Sequence, residues 1–237
     1  MSSDNFSAFY TLSDDTLTIS PEQASRFAKT VAGDFNPIHD AGDRRFCVPG
    51  DLLFAVILEN VGLYKKMSFT FDARMTADIV GVLNSQQTGA GNITDQRSEK
   101  PIVNFQYDSE KIVSKKLIHE FIEHYVAFSG QNFPYLLDPV LKSNDAMFNP
   151  KSPLVMYQSM EFSLYPKDDS EISIDYVNAD FEKQGKRGYI TLNFNFNQNE
   201  DVIGNGKKQL LISGIRPYDE SEMSKIIESF LERKNNF

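Results

Sequence analysis

Cysteine is nearly absent from the chain, histidine is scarce, and basic residues are outnumbered: one Cys, three His, and 24 Lys and Arg against 33 Asp and Glu in 237 positions. A lone cysteine, Cys47, excludes an internal disulfide, so stability has to come from an apolar core, and a reducing compartment fits. The acidic excess leaves a formal charge of −9, a net negative field that repels phosphates and argues against nucleic acid as a partner. Long apolar runs are missing too. The longest, Leu52 to Leu58, is far too short to cross a bilayer, and Met1 to Asn5 has neither the basic region nor the apolar core of a signal peptide. A cytoplasmic protein without a membrane partner is the expectation.

Metal and cofactor signatures are equally thin. His119 and His124 flank Glu120 and Glu123, but a five-residue spacing turns two helical side chains to different faces, whereas a zinc helix needs four. Gly89-Ala90-Gly91 reads as a loop, because the remainder of a dinucleotide fingerprint does not follow. Cys47 has no base placed for it and reads as a small core or loop residue. No metal and no cofactor are expected.

What is present is ordinary globular composition, 41% hydrophobic and 24% charged, which leaves no room for long disorder. Phe6 to Leu12 and Thr16 to Ile19 read as an extended arm turning into a first helix. Ser20 caps it, Pro21 takes the first helical position, and Gln23 completes a capping box. Ala24, Phe27, Ala28 and Val31 form one apolar stripe before Gly33 ends the helix. The run from Leu52, continued by Val61, Leu63 and Tyr64, is apolar on every side and predicts a buried helix over Asp51 to Lys65. Strands are expected at Met67 to Met75, Ala77 to Leu83 and Ile102 to Tyr107, with a loop around Thr88 to Asn92. Phe105, Phe194 and Phe196 alternate as core residues do.

The order then begins again. Leu117, Phe121, Ile122, Tyr125 and Val126 keep helical spacing up to Gly130. The offset that carries Gly33 onto Gly130 also carries Pro37 onto Pro134. A second buried helix is predicted over Pro153 to Met160, capped by Ser152, followed by strands at Phe162 to Tyr165, Glu171 to Val177, Gly188 to Asn197 and Gln209 to Ile215, with a turn at Gly204-Asn205-Gly206. Two copies of one unit, residues 1–113 and 114–237, account for this pattern. The copies differ in chemistry, because Gln131 falls opposite Asp34 and Leu136 opposite His39. Met223, Ile226, Ile227, Phe230 and Leu231 close the chain as an amphipathic helix, expected on the outside of a domain or at a subunit contact, so a homodimer stays open.

The chemistry gathers at Gly33-Asp34-Phe35-Asn36-Pro37-Ile38-His39. Pro37 stiffens the turn and Asn36 bonds locally, so Asp34 and His39 can face one cleft. A carboxylate and a neutral imidazole sharing a water suit proton transfer near neutral pH, since the unperturbed imidazole pKa is about 6.5. Addition or removal of water at a polarised double bond also needs a donor for an enolate-like oxygen, and the N–H of Gly50 at the start of the buried helix is placed to provide it. The bland alternative is a structural turn in which Asp34 caps backbone and Gly50 merely opens a helix.

Phe27-Ala28 through Ala32-Gly33-Asp34-Phe35-Asn36-Pro37-Ile38-His39, followed by Val48-Pro49-Gly50 and an apolar helix, resembles the motif of the MaoC-like, (R)-specific enoyl-CoA hydratases of the hot-dog superfamily. The doubled arrangement, with Tyr125 to Pro134 in the second half, more closely resembles an uncharacterised bacterial family of double hot-dog proteins. The resemblance implies an α+β double hot-dog, each unit an antiparallel sheet wrapped around a helix. It assigns Asp34 and His39 to water activation and proton movement, Gly50 and Asn36 to substrate binding, and an acyl-CoA or acyl-carrier thioester as ligand. Pro49 stands where those hydratases usually carry His, and Leu58-Glu59 where a small polar residue is usual. Two functions are therefore carried forward, a hydratase or dehydratase of enoyl or 3-hydroxyacyl thioesters and a non-catalytic acyl-thioester or small-ligand binding protein, with a thioesterase as a minor third.

Overall fold

A computed structural model of the chain describes residues 6–86, 89–108, 110–150 and 154–237. Its first elements follow from local chemistry. Phe6–Phe9 forms a 3-10 turn, and β1 (Thr11–Ser13) and β2 (Thr16–Thr18) make a hairpin across Asp14, which adopts a positive φ of 52°. In α1 (Pro21–Phe27), Ser20 Oγ accepts from the Gln23 N–H while Gln23 Oε1 accepts from the Ser20 N–H, a reciprocal cap. The helix widens into a π-turn over Ala28–Ala32 and stops at Gly33, whose φ of 65° is the left-handed geometry glycine tolerates best.

Next come α2 (Gly50–Asn60), β3 (Leu63–Tyr64), β4 (Lys66–Phe71), β5 (Gly81–Gln86), β6 (Ala90–Asp95), β7 (Pro101–Tyr107) and β8 (Lys111–Ile112). After α3 (Lys115–Gly130) and α4 (Leu137–Ser143) the chain finishes with β9 (Val155–Leu164), β10 (Ser173–Gln184), β11 (Arg187–Gln198), β12 (Asp201–Ser213) and α5 (Glu220–Asn235). Ten strands among the described residues form one antiparallel sheet in the order β1-β2-β5-β6-β7-β4-β9-β12-β11-β10. The two halves join where β4 pairs with β9, from Lys66 opposite Ser163 to Thr70 opposite Ser159.

The sheet wraps two helices. Every residue of α2 from Asp51 to Leu58 is buried, and Phe54 meets Phe69 of β4 edge to face at 5.0 Å between ring centroids. In α3, Phe121 lies 5.3 Å from both Phe162 of β9 and Phe196 of β11. The α+β double hot-dog is thus built on α2 and α3, with Phe105, Phe194 and Phe196 all in the core. A second cluster, under α4 and α5, joins Leu137, Leu141 and Met223 to Ile190, Leu192 and Ile212 of the sheet.

Four expectations are corrected. The helix predicted over Asp51 to Lys65 ends at Asn60, and Leu63 and Tyr64 instead pair as β3 with Ile112 and Lys111 of β8. The helix predicted at Pro153 to Met160 is strand from Val155 onward: Met160, Phe162 and Leu164 are buried while Glu161 is exposed, the period of a strand rather than a helix. Ser152 and Pro153 lie outside the described residues, and the second wrapped helix is α3 instead. Gly204-Asn205-Gly206 lies inside β12, where a side chain on Gly204 would strike the Ser163 carbonyl and one on Gly206 the Phe194 ring; the chain turns at Asn199, with φ 54°. Ala90 to Asn92, expected in a loop, begin β6, whereas Thr88 lies outside the described residues.

Candidate functional site

The motif turn is held by its own side chains. Asp34 Oδ1 accepts the Asn36 N–H at 2.8 Å, and Asn36 Oδ1 accepts the Ile38 N–H at 3.2 Å, capping the short 3-10 helix Pro37–His39. This brings His39 Nε2 to 3.4 Å from Asp34 Oδ2. On its other side, His39 Nδ1 lies 2.8 Å from the Cys47 carbonyl oxygen. A carbonyl can only accept, so Nδ1 carries a proton, and Nε2 faces the carboxylate favourably only if it is protonated as well.

Electrostatics agree with that geometry. Burial alone would depress the His39 pKa, but the hydrogen bonds to Asp34 and the Cys47 carbonyl, together with the Asp34 charge, outweigh it and raise it to about 10. Burial alone would raise Asp34, yet His39, the Asn36 N–H and the charge of Lys208 hold it below the usual carboxylate range. The neutral imidazole expected from the sequence is therefore replaced by an imidazolium–carboxylate pair, because the Cys47 carbonyl selects the tautomer that leaves Nε2 toward Asp34.

Gly50 opens α2 behind Pro49, and the N–H of a first helical residue has no acceptor within the helix. A Cβ here would come 2.8 Å from the ring of Tyr157 on β9 and 3.3 Å from that of Phe71, so only glycine lets these aromatics close over the helix start. Asp34, His39, Gly50 and Asn36 line one cavity of about 750 Å³. Gln131 and Leu136, their counterparts in the second half, contribute neither acid nor base.

The same cavity has a polar wall that sequence reasoning did not single out. Asp51, Ser129 and Lys208 are 7%, 5% and 3% exposed, and groups of these types are seldom buried without partners. Ser129 Oγ donates to the Asp51 carboxylate and accepts from the Lys208 ammonium, whose Nζ is 3.9 Å from Asp51 and 4.0 Å from the centroid of Tyr157. Burial raises the Asp51 pKa against the opposing pull of Lys208 and Ser129, and burial lowers that of Lys208 against the pull of Asp51 and Asp34. A signal for Lys208 was available: it shares strand parity with Leu210 and Ile212, both buried, so it points inward with them. Asp51 and Ser129 carried no such sign, since each sits at the end of a helix where a polar residue is ordinary.

The C-terminal helix, expected on the outside of a domain or at a subunit contact, packs on the outside of the second core through Met223, Ile226 and Ile227 and also forms a wall of the cavity. Phe230 packs edge to face against Phe35 and Phe133, and Arg233 donates to the Phe35 carbonyl at 3.0 Å and pairs with Asp40 at 2.5 Å. Lys29 reaches the other oxygen of Asp40 at 2.7 Å. No three metal-ligating side chains cluster among the described residues, and none of their helices is long and apolar enough to cross a membrane.

Among solved structures, similar chains include an acyl-CoA thioesterase II, TesB2, from Mycobacterium marinum (9% identity, 92% of this chain and 98% of that one, TM-score 0.40). Others are a TesB protein from Mycobacterium avium subspecies paratuberculosis (8%, 70% and 87%, 0.40) and a MaoC-like dehydratase (10%, 88% and 100%, 0.39). Likeness at this level carries no functional argument. No curated protein sequence matches the chain. A family model does match, over residues 5–221, and the chain accordingly belongs to the family described as "Protein of unknown function (DUF3581)".

Proposed function

We propose that the protein catalyses reversible addition of water to an enoyl thioester, giving the 3-hydroxyacyl thioester. The observation that carries this reading is the largely buried Asp34–His39 ion pair, its carboxylate partly open, on the wall of a cavity that also holds the start of α2. Asp34 takes a proton as water attacks the β-carbon, and His39 gives its Nε2 proton to the α-carbon. The enolate oxygen formed in between is stabilised by the Gly50 N–H at the positive end of the helix. Asp34 then returns a proton to His39 across their 3.4 Å contact, restoring the resting pair with one water consumed.

Disappearance of the enoyl chromophore from short and medium enoyl thioesters tests the reading. Turnover by the native protein is expected, with losses on the order of 10²-fold or more in Asp34→Asn and His39→Gln. No turnover at any chain length, alongside measurable thioester binding, overturns it in favour of a second reading, a non-catalytic acyl-thioester binding protein. One observation favours that alternative: Asp34 and His39 each hold backbone, at Asn36 and Cys47, as members of a structural turn would.

A further inference from the structure

Lys208 of β12 is the one cation of the cavity wall, among the described residues, that is both buried and short of acceptors. Arg74 and Lys225 are exposed and Arg233 is only partly buried, so water serves their N–H groups. Lys208 keeps only 4% of its side chain accessible. An ammonium carries three donors, and among the described residues Ser129 Oγ takes one. Asp51 at 3.9 Å is an ion-pair neighbour beyond hydrogen-bond range, and the Tyr157 ring at 4.0 Å attracts the charge without accepting a conventional hydrogen bond. A buried cation with unfilled donors is costly unless something that enters the cavity fills them.

We infer that Lys208 donates a hydrogen bond to the carbonyl oxygen of the bound thioester, as the cationic partner of the Gly50 N–H. This inference rests on the thioester reading of the same cavity and deepens it. Position supports it. Phe71 stacks on one face of Tyr157 at 4.3 Å, so the ammonium occupies the other, and the edge of the same ring abuts Gly50, where a Cβ would come within 2.8 Å. One aromatic ring therefore sets Lys208 and the start of α2 side by side on the wall that also carries Asp34. Asp34 is near enough for the Lys208 charge to help keep it ionised. Charge balance points the same way. Asp51 places a buried carboxylate one residue beyond Gly50, so negative charge growing on a carbonyl oxygen there would be repelled if the N–H were its only partner. With Lys208 alongside, the enolate meets a cation already held against Asp51 through Ser129.

The test compares S-butyryl-N-acetylcysteamine, isotopically labelled at its thioester carbonyl carbon, with S-butyl-N-acetylcysteamine, the thioether that lacks that carbonyl, by calorimetry and carbon NMR. Neither probe has a double bond to hydrate, so absence of hydratase turnover does not touch the result. The native protein is expected to bind the thioester about tenfold more tightly or better, the worth of a hydrogen bond from a charged donor, and to move the labelled resonance downfield on binding. In the paired variant Asp51→Leu with Lys208→Met, which strands neither charge, that preference is expected to fall by about tenfold and most of the downfield displacement to vanish. A lysine with a merely structural role would leave the bound resonance where it was. Should the pair fail to fold, Asp51→Asn with Lys208→Met takes its place. Equal binding of both probes by the native protein, or binding without downfield displacement, overturns the inference alone. A displacement that survives in the variant overturns it too, even where hydration is observed. Binding of neither probe overturns it together with the thioester reading.

Discussion

Ser129 Oγ lies 2.6 and 2.7 Å from the two carboxylate oxygens of Asp51, a bond that ties the end of α3 to the start of α2 across 78 residues of sequence. Both groups are buried, so removing the hydroxyl leaves a carboxylate short of its donor while Lys208 remains 3.9 Å away. Ser129→Ala is expected to cost about 1–3 kcal/mol in denaturant unfolding, the usual penalty for an unsatisfied buried polar group. A paired replacement, Asp51→Leu with Lys208→Met, should cost less than Lys208→Met alone, because a single removal strands the opposite charge. Equal costs would show that Lys208 and Asp51 do not compensate one another.

The protonation of His39 separates the ion pair from the neutral base that its sequence suggested. With a pKa near 10 for His39 and one below the ordinary carboxylate range for Asp34, hydration should be flat from about pH 5 to pH 9 and fall on the alkaline side as His39 loses its proton. An inflection near the ordinary histidine pKa, about 6.5, would contradict the pairing.

The same shift has a stability consequence of definite sign. A histidine whose folded pKa is raised contributes fully below its unfolded pKa, about 6.5, and loses that contribution as pH climbs to its folded value. The native protein should therefore lose stability relative to His39→Gln between about pH 6.5 and the His39 pKa near 10, by a few kcal/mol in urea unfolding. Asp34 works in the opposite window: its depressed pKa holds the pair from the unfolded value, about 4, upward, and the contribution is lost as pH falls through the folded value. Taking the difference between the two proteins isolates His39 from Lys208, whose lowered pKa makes stability rise with pH instead.

How much of this could be read beforehand depends on whether a signal was local. The Ser20 capping box, the Gly33 stop and the Asp34-to-His39 turn are made by residues a few positions apart, and each takes the form its spacing predicts. The apolar run in α2 likewise contains its own instruction, burial on all sides. Val155 to Met160 failed because a short, largely apolar stretch, broken only by Gln158 and Ser159, satisfies helix and strand alike, and pairing with β4 and β12 on either side settled the matter. Asp51, Ser129 and Lys208 converge from three distant parts of the chain, so nothing in any one neighbourhood announces the cluster.

Gly130 makes a prediction about how the halves are joined. A Cβ there would strike the carbonyl oxygen of Ala32 at the end of the first motif helix, and that backbone cannot yield as a flexible side chain could. Gly130→Ala is expected to lower stability by about 2 kcal/mol or more despite alanine's better helix propensity. An exposed glycine such as Gly42, with open space around its Cβ position, should accept alanine with little change in thermal unfolding.

Arg233 is the link between the C-terminal helix and the motif. Its guanidinium donates to the Phe35 carbonyl and pairs with Asp40, which Lys29 holds from the other side, so one side chain ties α5 to the turn that bears Asp34 and His39. The pair is about a third exposed, and its direct contribution to global stability should be small, about 1 kcal/mol or less. The effect of Arg233→Met should instead be local: faster amide exchange over the last turns of α5, with exchange in α2 unchanged. Because Phe230 remains packed against Phe35 and Phe133, the helix is expected to fray from its end rather than detach. Exchange accelerated along all of α5, including the turn around Met223, would show that Arg233 anchors the whole wall of the cavity.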